Sequence, residues 1–521
     1  MSRTATLALL VGVVLFTSWR WGSFVAGGSD SSCYATQAVR WAQVIAHPRT
    51  TSIQTPDPLA ASAPWPDAVA TWTPTGHVPS QTVAGAFVPI CPAGLSLLMA
   101  PLYLAGGSPA MFAVVPILGA VLLLATSSFG SRFNPRVGVA AAILTAASPV
   151  FIYQVVQPMS DVPAAAFWMM ALACAAGTKR HHAALAGAAT SAAVLMRPNL
   201  VPLGCVIGLF LLLRPERSWP QRARAALHYA LWSAPGCVAV AALQQSFYGS
   251  PFASGYGSLD GLFSFAHVWP NATSYLSWLW QAHTPVVLLA LIAPFMVPGP
   301  LTMLALACAL VNLGLYLPYT VFADWSYLRF LLPSIPLLMV LIAAVVDAIT
   351  VRLLRSGLSP ADPRRRRQLT LALVPLVAAF GAVMVREARL RHAFDLQGME
   401  ARFARAGQFV AARLPPDALL ITDYQSGSVP FYSGRRTLAW RALDPMWLER
   451  AVAFAREQGF EPYLLFERWE EPEFRQRFAG SGIGSVDWPP IAEVSGQVRV
   501  YRVADRDRYR AGLPVRTEYV R

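Results

Sequence analysis

Charge is what this sequence has least of. Only 13% of its 521 residues are Asp, Glu, Lys or Arg, while 55% are hydrophobic; soluble domains carry ~25% charge. That imbalance excludes intrinsic disorder, a collagen-like fibre and a conventional soluble enzyme. Lysine is nearly missing, Lys179 being the only one, and no C-x-x-C pair occurs. The formal net charge of +14 comes without zinc-finger spacing, a recognition helix or basic–aromatic alternation, so nucleic acid is not an expected partner. The scarcity is also uneven. Residues 1–386 hold 9 acidic and 21 basic side chains, whereas the much shorter stretch 387–521 holds 18 and 20. A membrane body, 1–386, is thus followed by a water-soluble tail, 387–521.

What is present is a series of eleven apolar runs: 4–25, 110–128, 137–153, 162–177, 183–196, 200–213, 226–247, 284–297, 301–321, 328–349 and 369–385. The first of them has an alternative reading, a signal peptide with Ala26 near its cleavage site. Residues 87–104, broken by Pro89, Pro92, Gly94 and Pro101, read as a re-entrant or interfacial helix that does not cross. Arg132 and Arg136, Lys179 and Arg180, Arg214 to Arg224, and Arg352 to Arg367 then share a side with Arg3, placing 15 of the 21 basic residues together. The positive-inside rule makes that side cytoplasmic. The outer loop 26–108, the loop 248–283 and everything beyond Val385 face outward from a cytoplasmic (inner) membrane. Cys33 and Cys91 share the first outer loop, and spacing alone does not decide whether they pair. Cys174, Cys205, Cys237 and Cys308 read as packing residues. In the tail, amphipathic helices at 398–413 and 445–458 alternate with strands at 418–422 and 463–466. A last pair, 491–494 and 498–503, flanks the turn Ser495-Gly496-Gln497. The expected fold class is an α-helical polytopic membrane protein of eleven spans with a C-terminal soluble α/β domain.

An acidic residue at a membrane boundary is a functional candidate by default. Asp30 follows the first span in Gly27-Gly28-Ser29-Asp30, ahead of Tyr34, Ala38 and Trp41 at helical spacing. Asp161 sits in Gln157-Pro158-Met159-Ser160-Asp161-Val162-Pro163, a tight outer loop. Each has an ordinary alternative as a helix N-cap. The topology brings both out on one face, where one carboxylate could take a proton from an attacking hydroxyl and another orient the acceptor or hold a divalent cation. Two outer cations, Arg329 and Arg197, offer guanidinium forks suited to phosphate. Their plain alternatives are an ion pair with Asp324 and snorkelling to headgroups. Asp347 reads as an interfacial residue, and His77 and His267 as structural or solvated.

In order along the chain, "GGSDSSCYATQA", "VPICPAGLSLLMAPLYL", "ASPVFIYQVVQPMSDVPAAAFWMMALA", "LMRPNLVPL", "FYGSPFASGYG" and "YLRFLLPSIPLL" resemble the GT-C superfamily of integral-membrane glycosyltransferases. The bacterial relatives of protein mannosyltransferases, aminoarabinose transferases and galacturonic acid transferases look most similar, and the resemblance covers most of residues 1–350. It implies transfer of a sugar from a polyprenyl-phosphate donor to a glycan, lipid or protein acceptor at the outer face. It maps the catalytic base onto Asp30, acceptor positioning or catalysis onto Asp161 and donor-phosphate binding onto Arg329. Ser31 stands where many members carry a second acid, which weighs against a metal site. The proline-rich segment lacks the lysine of several branches. The rival reading is a transporter or flippase for a lipid-linked precursor, which calls for mid-bilayer ionisable groups that these runs almost lack. An interaction scaffold would not need eleven spans.

Overall fold

A computed structural model describes residues 2–179, 181–354 and 363–520. Arg180 and Arg355 of the basic clusters lie outside them. The chain is mostly helical and divides into two compact units.

The first unit comprises Met1–Gly22, Phe112–Ala242 and Gly257–Leu396. Proline and small polar residues punctuate its helices. Asn134 caps Pro135–Ala147 by accepting from the Arg136 amide at 3.0 Å, with Pro135 at the first helical position. Ser148 and Pro149 then end that helix and start Pro149–Val155. Among the described residues, Arg3–Trp21, Trp219–Tyr248, Ile335–Leu353 and Gln368–Leu390 are long and apolar enough to cross a bilayer. Large apolar side chains on such helices are turned outward, including Leu227, Leu231, Val238, Leu371 and Val374. A soluble monomer does not display so much apolar surface, and this is a multi-pass membrane protein. Asp347 is satisfied by Arg136, whose Nε lies 3.0 Å from Oδ1.

The second unit comprises Ser23–Met111, Leu243–Tyr256 and Gln397–Arg521. Its small sheet joins β1 (Thr55–Pro56), β2 (His77–Pro79) and β3 (Ala86–Pro89) in the order β1-β3-β2, all antiparallel. Residues 87–89, expected in the interfacial helix, are thus strand, and the helix runs Ala93–Met111. The larger sheet has β4 (Ala418–Ile421), β5 (Arg436–Leu438), β6 (Glu461–Glu467), β7 (Ala492–Val494), β8 (Val498–Arg502) and β9 (Glu518–Val520) in the order β5-β4-β6-β8-β7-β9. β5, β4 and β6 are parallel, and β6, β8 and β7 antiparallel. Ser495 and Gly496, both at positive φ, make the tight turn between β7 and β8. Alternation sends Leu419 and Ile421 to one face and Ala418 and Leu420 to the other, and both faces are buried. One face is completed by Trp65 and Trp72, which come from the loop after the first span. The same loop adds an Arg436–Asp57 ion pair at 2.9 Å and an Ala439 N–H to Thr71 carbonyl bond at 2.7 Å.

Candidate active site

Asp30 is the first residue of the helix Asp30–Ala46; Ser29 precedes it and makes no side-chain cap. Asp30 is therefore a first-turn residue rather than the N-cap, a position where the positive end of the helix dipole favours a carboxylate. Gly28 makes the entry turn at φ +54°. The loop is clamped from several directions within its own unit. Tyr432 Oη accepts from the Ala26 amide at 2.8 Å. A Cβ on Gly27 would stand 2.5 Å from the Phe403 ring, and one on Gly28 would meet Tyr424 Oη at 3.4 Å. A Cβ on Gly427 would lie 2.6 Å from Ser32 Oγ, so only glycine lets these segments approach so closely. One turn past Asp30, Cys33 forms a disulfide with Cys91 across 6.2 Å between Cα atoms, and Ser96 Oγ donates to the Tyr34 carbonyl at 2.9 Å. The helix that carries Asp30 is therefore anchored to the helix Ala93–Met111 at its start.

Tyr424, beside Gly28, opens the loop after β4, next to the loop after β6. Those two strands are parallel, but their onward connections leave to opposite sides of the sheet, which is where open α/β sheets form crevices. Buried carboxyl groups gather here. Glu470 accepts from the Glu467 and Tyr424 amides, both at 3.0 Å. Burial still pushes its carboxyl up to about 7, against those two bonds and with help from the Asp423 and Glu467 charges. Burial also raises Asp423, against the pull of Arg441, and raises Glu400, against Arg402.

Asp161, Arg197 and Arg329 belong to the other unit. Asp161 opens the helix Asp161–Ala175, and its side chain is fully buried. Arg197 Nη2 meets Asp161 Oδ1 at 2.7 Å, which brings two expected site residues into one ion pair. Asp161 Oδ2 is buried with no hydrogen-bond partner. Arg197 Nη1 donates to Tyr316 Oη at 3.1 Å, and Asn199 Nδ2 donates to the same oxygen at 2.8 Å. Phe330 stacks on Tyr316 at 4.8 Å between centroids, and the Arg197 and Arg329 guanidiniums each lie 5.4 Å from the Phe330 ring centre. Two cations thus share one aromatic platform. Arg329 occupies the 3-10 helix Trp325–Leu331, while Asp324 accepts from the Ser326 amide at 2.8 Å. Tyr316, Asn199 and Phe330 escape sequence reasoning. Asn199 and Phe330 do adjoin the arginines in "RPN" and "LRF", a signal that was there to use. Among the described residues no group of three or more His, Cys, Asp or Glu is placed to hold a metal ion.

No family model matches the sequence, and no curated protein matches it. Solved structures do. ArnT from Cupriavidus metallidurans, bound to undecaprenyl phosphate, superposes with a TM-score of 0.59 at 13% identity, over 96% of this chain and 98% of that one. The chain has the GT-C fold. An Archaeoglobus fulgidus oligosaccharyltransferase tethered to an acceptor peptide gives a TM-score of 0.52 at 12% identity, over 93% of this chain and 72% of that one. The arabinofuranosyltransferase AftD from Mycobacteria gives 0.50 at 15% identity, over 90% of this chain and 37% of that one. The GT-C fold accounts for both units, because the match with ArnT runs through nearly the whole of each chain.

Proposed function

We propose that this protein is a membrane glycosyltransferase that moves a sugar from a polyprenyl-phosphate donor to an acceptor hydroxyl, with inversion, at the outer face of the cytoplasmic membrane. The observation that carries the reading is the near end-to-end likeness to a transferase structure that holds undecaprenyl phosphate. A lipid-linked donor cannot leave the bilayer, so its phosphate has to be met at the membrane boundary. Asp30 takes the acceptor proton as the acceptor oxygen attacks the anomeric carbon from the face opposite the phosphate. Polyprenyl phosphate leaves with the bonding electron pair. Arg329, with Arg197 as a second donor-phosphate contact, offsets the charge that develops on it. Asp161, oriented by Arg197, positions the acceptor.

The topology belongs to the same proposal. Among the described residues four helices are long and apolar enough to cross, or up to seven spans if each of three bent helix pairs is one, and the proposed eleven crossings require the four shorter apolar helices to span as well. The helix Ala93–Met111 is paired with Val114–Gly130 in that count, which suits a segment that does not cross alone. A disulfide in the loop 26–108 supports an oxidising, extracytoplasmic location for it. The body is 1–386 and the extracytoplasmic region is 387–521, the latter folding with residues of the outer loop.

The test is release of polyprenyl phosphate when the purified protein is given a panel of polyprenyl-phosphate sugars and acceptors. Asp30→Asn should abolish release by 10²-fold or more, within the ~10²–10⁴-fold range of general-base catalysis, while donor binding persists. An active Asp30→Asn protein removes the base assignment. Failure of every donor removes the function.

A further inference from the structure

The transferase chemistry makes no use of a cavity of about 200 Å³ in the unit that carries Asp30. Thr36, Gln37 and Arg40 line it from the helix Asp30–Ala46, and Thr55, His77 and Phe87 from the small sheet. Its polar groups are poorly satisfied. Gln37 is 1% exposed, and its Nε2 has no hydrogen-bond partner; Thr36 Oγ1 is buried in the same condition. Buried donors without partners are costly, and such sites are completed by a ligand or water.

Charge narrows the ligand. Arg40 is half-buried, and its guanidinium bonds to Thr55 Oγ1 at 2.9 and 3.2 Å and to Gln43 Oε1 at 3.0 Å. No carboxylate pairs with it among the described residues, and no acidic residue lines the cavity. Burial holds His77 down to about 4, so at neutral pH its ring is a neutral dipole rather than a second cation. The cavity therefore holds one fixed positive charge, on a planar fork that suits a carboxylate or phosphate. Drug-sized ligands occupy ~300–1,000 Å³; this space takes one ring or one headgroup.

We propose that the cavity binds a small oxyanion-bearing ligand, a sugar acid or a phosphate headgroup, with Arg40 on the anion and Gln37 and Thr36 on its neighbouring hydroxyls. The site lies outside the set of residues assigned to transfer, and it stands or falls separately from that reading.

The experiment is binding calorimetry and thermal shift on the full chain in phosphatidylcholine nanodiscs. The probes are D-glucuronate, inorganic phosphate and neutral D-glucose, with a parallel set of discs containing phosphatidylglycerol. Glucuronate or phosphate should bind and raise the melting temperature where glucose does not. A response to phosphatidylglycerol alone supports the site with a lipid headgroup as its ligand. Arg40→Gln should lower affinity about 10- to 100-fold, as expected when a charged hydrogen bond is lost, with the Cys33–Cys91 bond intact as the check on folding. Where that variant does not fold, Thr36→Val, which removes one buried hydroxyl, should weaken binding several-fold. Equal binding of glucose and glucuronate, no response to any probe, or unchanged affinity in a folded Arg40→Gln or Thr36→Val protein overturns the proposal.

Discussion

Replacing both Cys33 and Cys91 with alanine opens a covalent loop of sequence separation 58. In the chain-entropy description, closing a loop of that length removes unfolded-state freedom worth about 4 kcal/mol at 25 °C. The flanking membrane helices already restrain the ends of this loop, which brings the expectation to roughly 2–4 kcal/mol. For a cooperative unit of this size, each kcal/mol moves the midpoint by about 2–4 °C, so the melting temperature should fall by roughly 4–16 °C. Alanine is the right replacement because Cys33 and Cys91 are 0% and 3% exposed, and serine would add buried hydroxyls. The assay is differential scanning fluorimetry in detergent of the alanine pair, untreated wild type and reduced wild type. Maleimide mass-tagging of unreduced membranes reads the bond directly. The larger consequence is catalytic. Cys33 lies one turn beyond Asp30, so the loosened helix should lower kcat while leaving KM for the donor nearly unchanged. If both thiols are tagged without reductant, or if the alanine pair melts within 1–2 °C of wild type, the bond does not brace this helix.

Further perturbations separate the other contacts. Asp161→Asn leaves the Arg197 guanidinium without its counter-charge and should destabilise by about 3–5 kcal/mol, seen as a lower melting temperature; joint replacement with Arg197→Gln should recover much of the loss, and equal instability of single and double variants would show that the pair is not coupled. Tyr432→Phe removes the hydroxyl that accepts from the Ala26 amide and should cost about 1–3 kcal/mol; kcat should drop with KM unchanged if the bond positions the Asp30 loop, whereas a change in KM alone would place its effect elsewhere. Glu470 gives a pH dependence with a definite sign. Its folded pKa of about 7 exceeds the ordinary 4.5, so the folded state holds the extra proton between those values and stability is lost as pH rises through about 7. The loss should reach about 2.5 kcal/mol by pH 8 relative to pH 5; Glu470→Gln should flatten the melting-temperature profile, and an unaltered profile would contradict the assignment.

Signals that repeat along the chain could be read from the sequence, and signals that depend on distant partners could not. Strand alternation found Ala418–Ile421 and the pair Ala492–Val494 and Val498–Arg502 to within a residue or two, because each is a local period with a turn signal beside it. Arg436–Leu438 and Glu518–Val520 were missed. Three residues hold no period, and both are strands only because a neighbour pairs with them. Asp30 was legible as a helix start after two glycines. The Asp161–Arg197 ion pair joins residues 36 positions apart, and nothing in either local motif names the other. Trp65 and Trp72 read as parts of an outer loop, yet they finish the core of a sheet whose strands begin at Ala418. Composition divides the chain into an apolar body and a polar tail, but it carries no information on which segments fold together, and Ser23–Met111 and Leu243–Tyr256 fold in one unit with Gln397–Arg521.

That last feature bears on how the molecule is made. Ala26 waits for Tyr432, a partner 406 residues later. At roughly 5–20 residues per second, a ribosome needs about 20–80 s to deliver it. During that interval the amino-terminal loop has its own disulfide, small sheet and internal hydrogen bonds to hold it, with two tryptophans awaiting their core. Truncation near the carboxyl end would therefore damage the amino-terminal segment first.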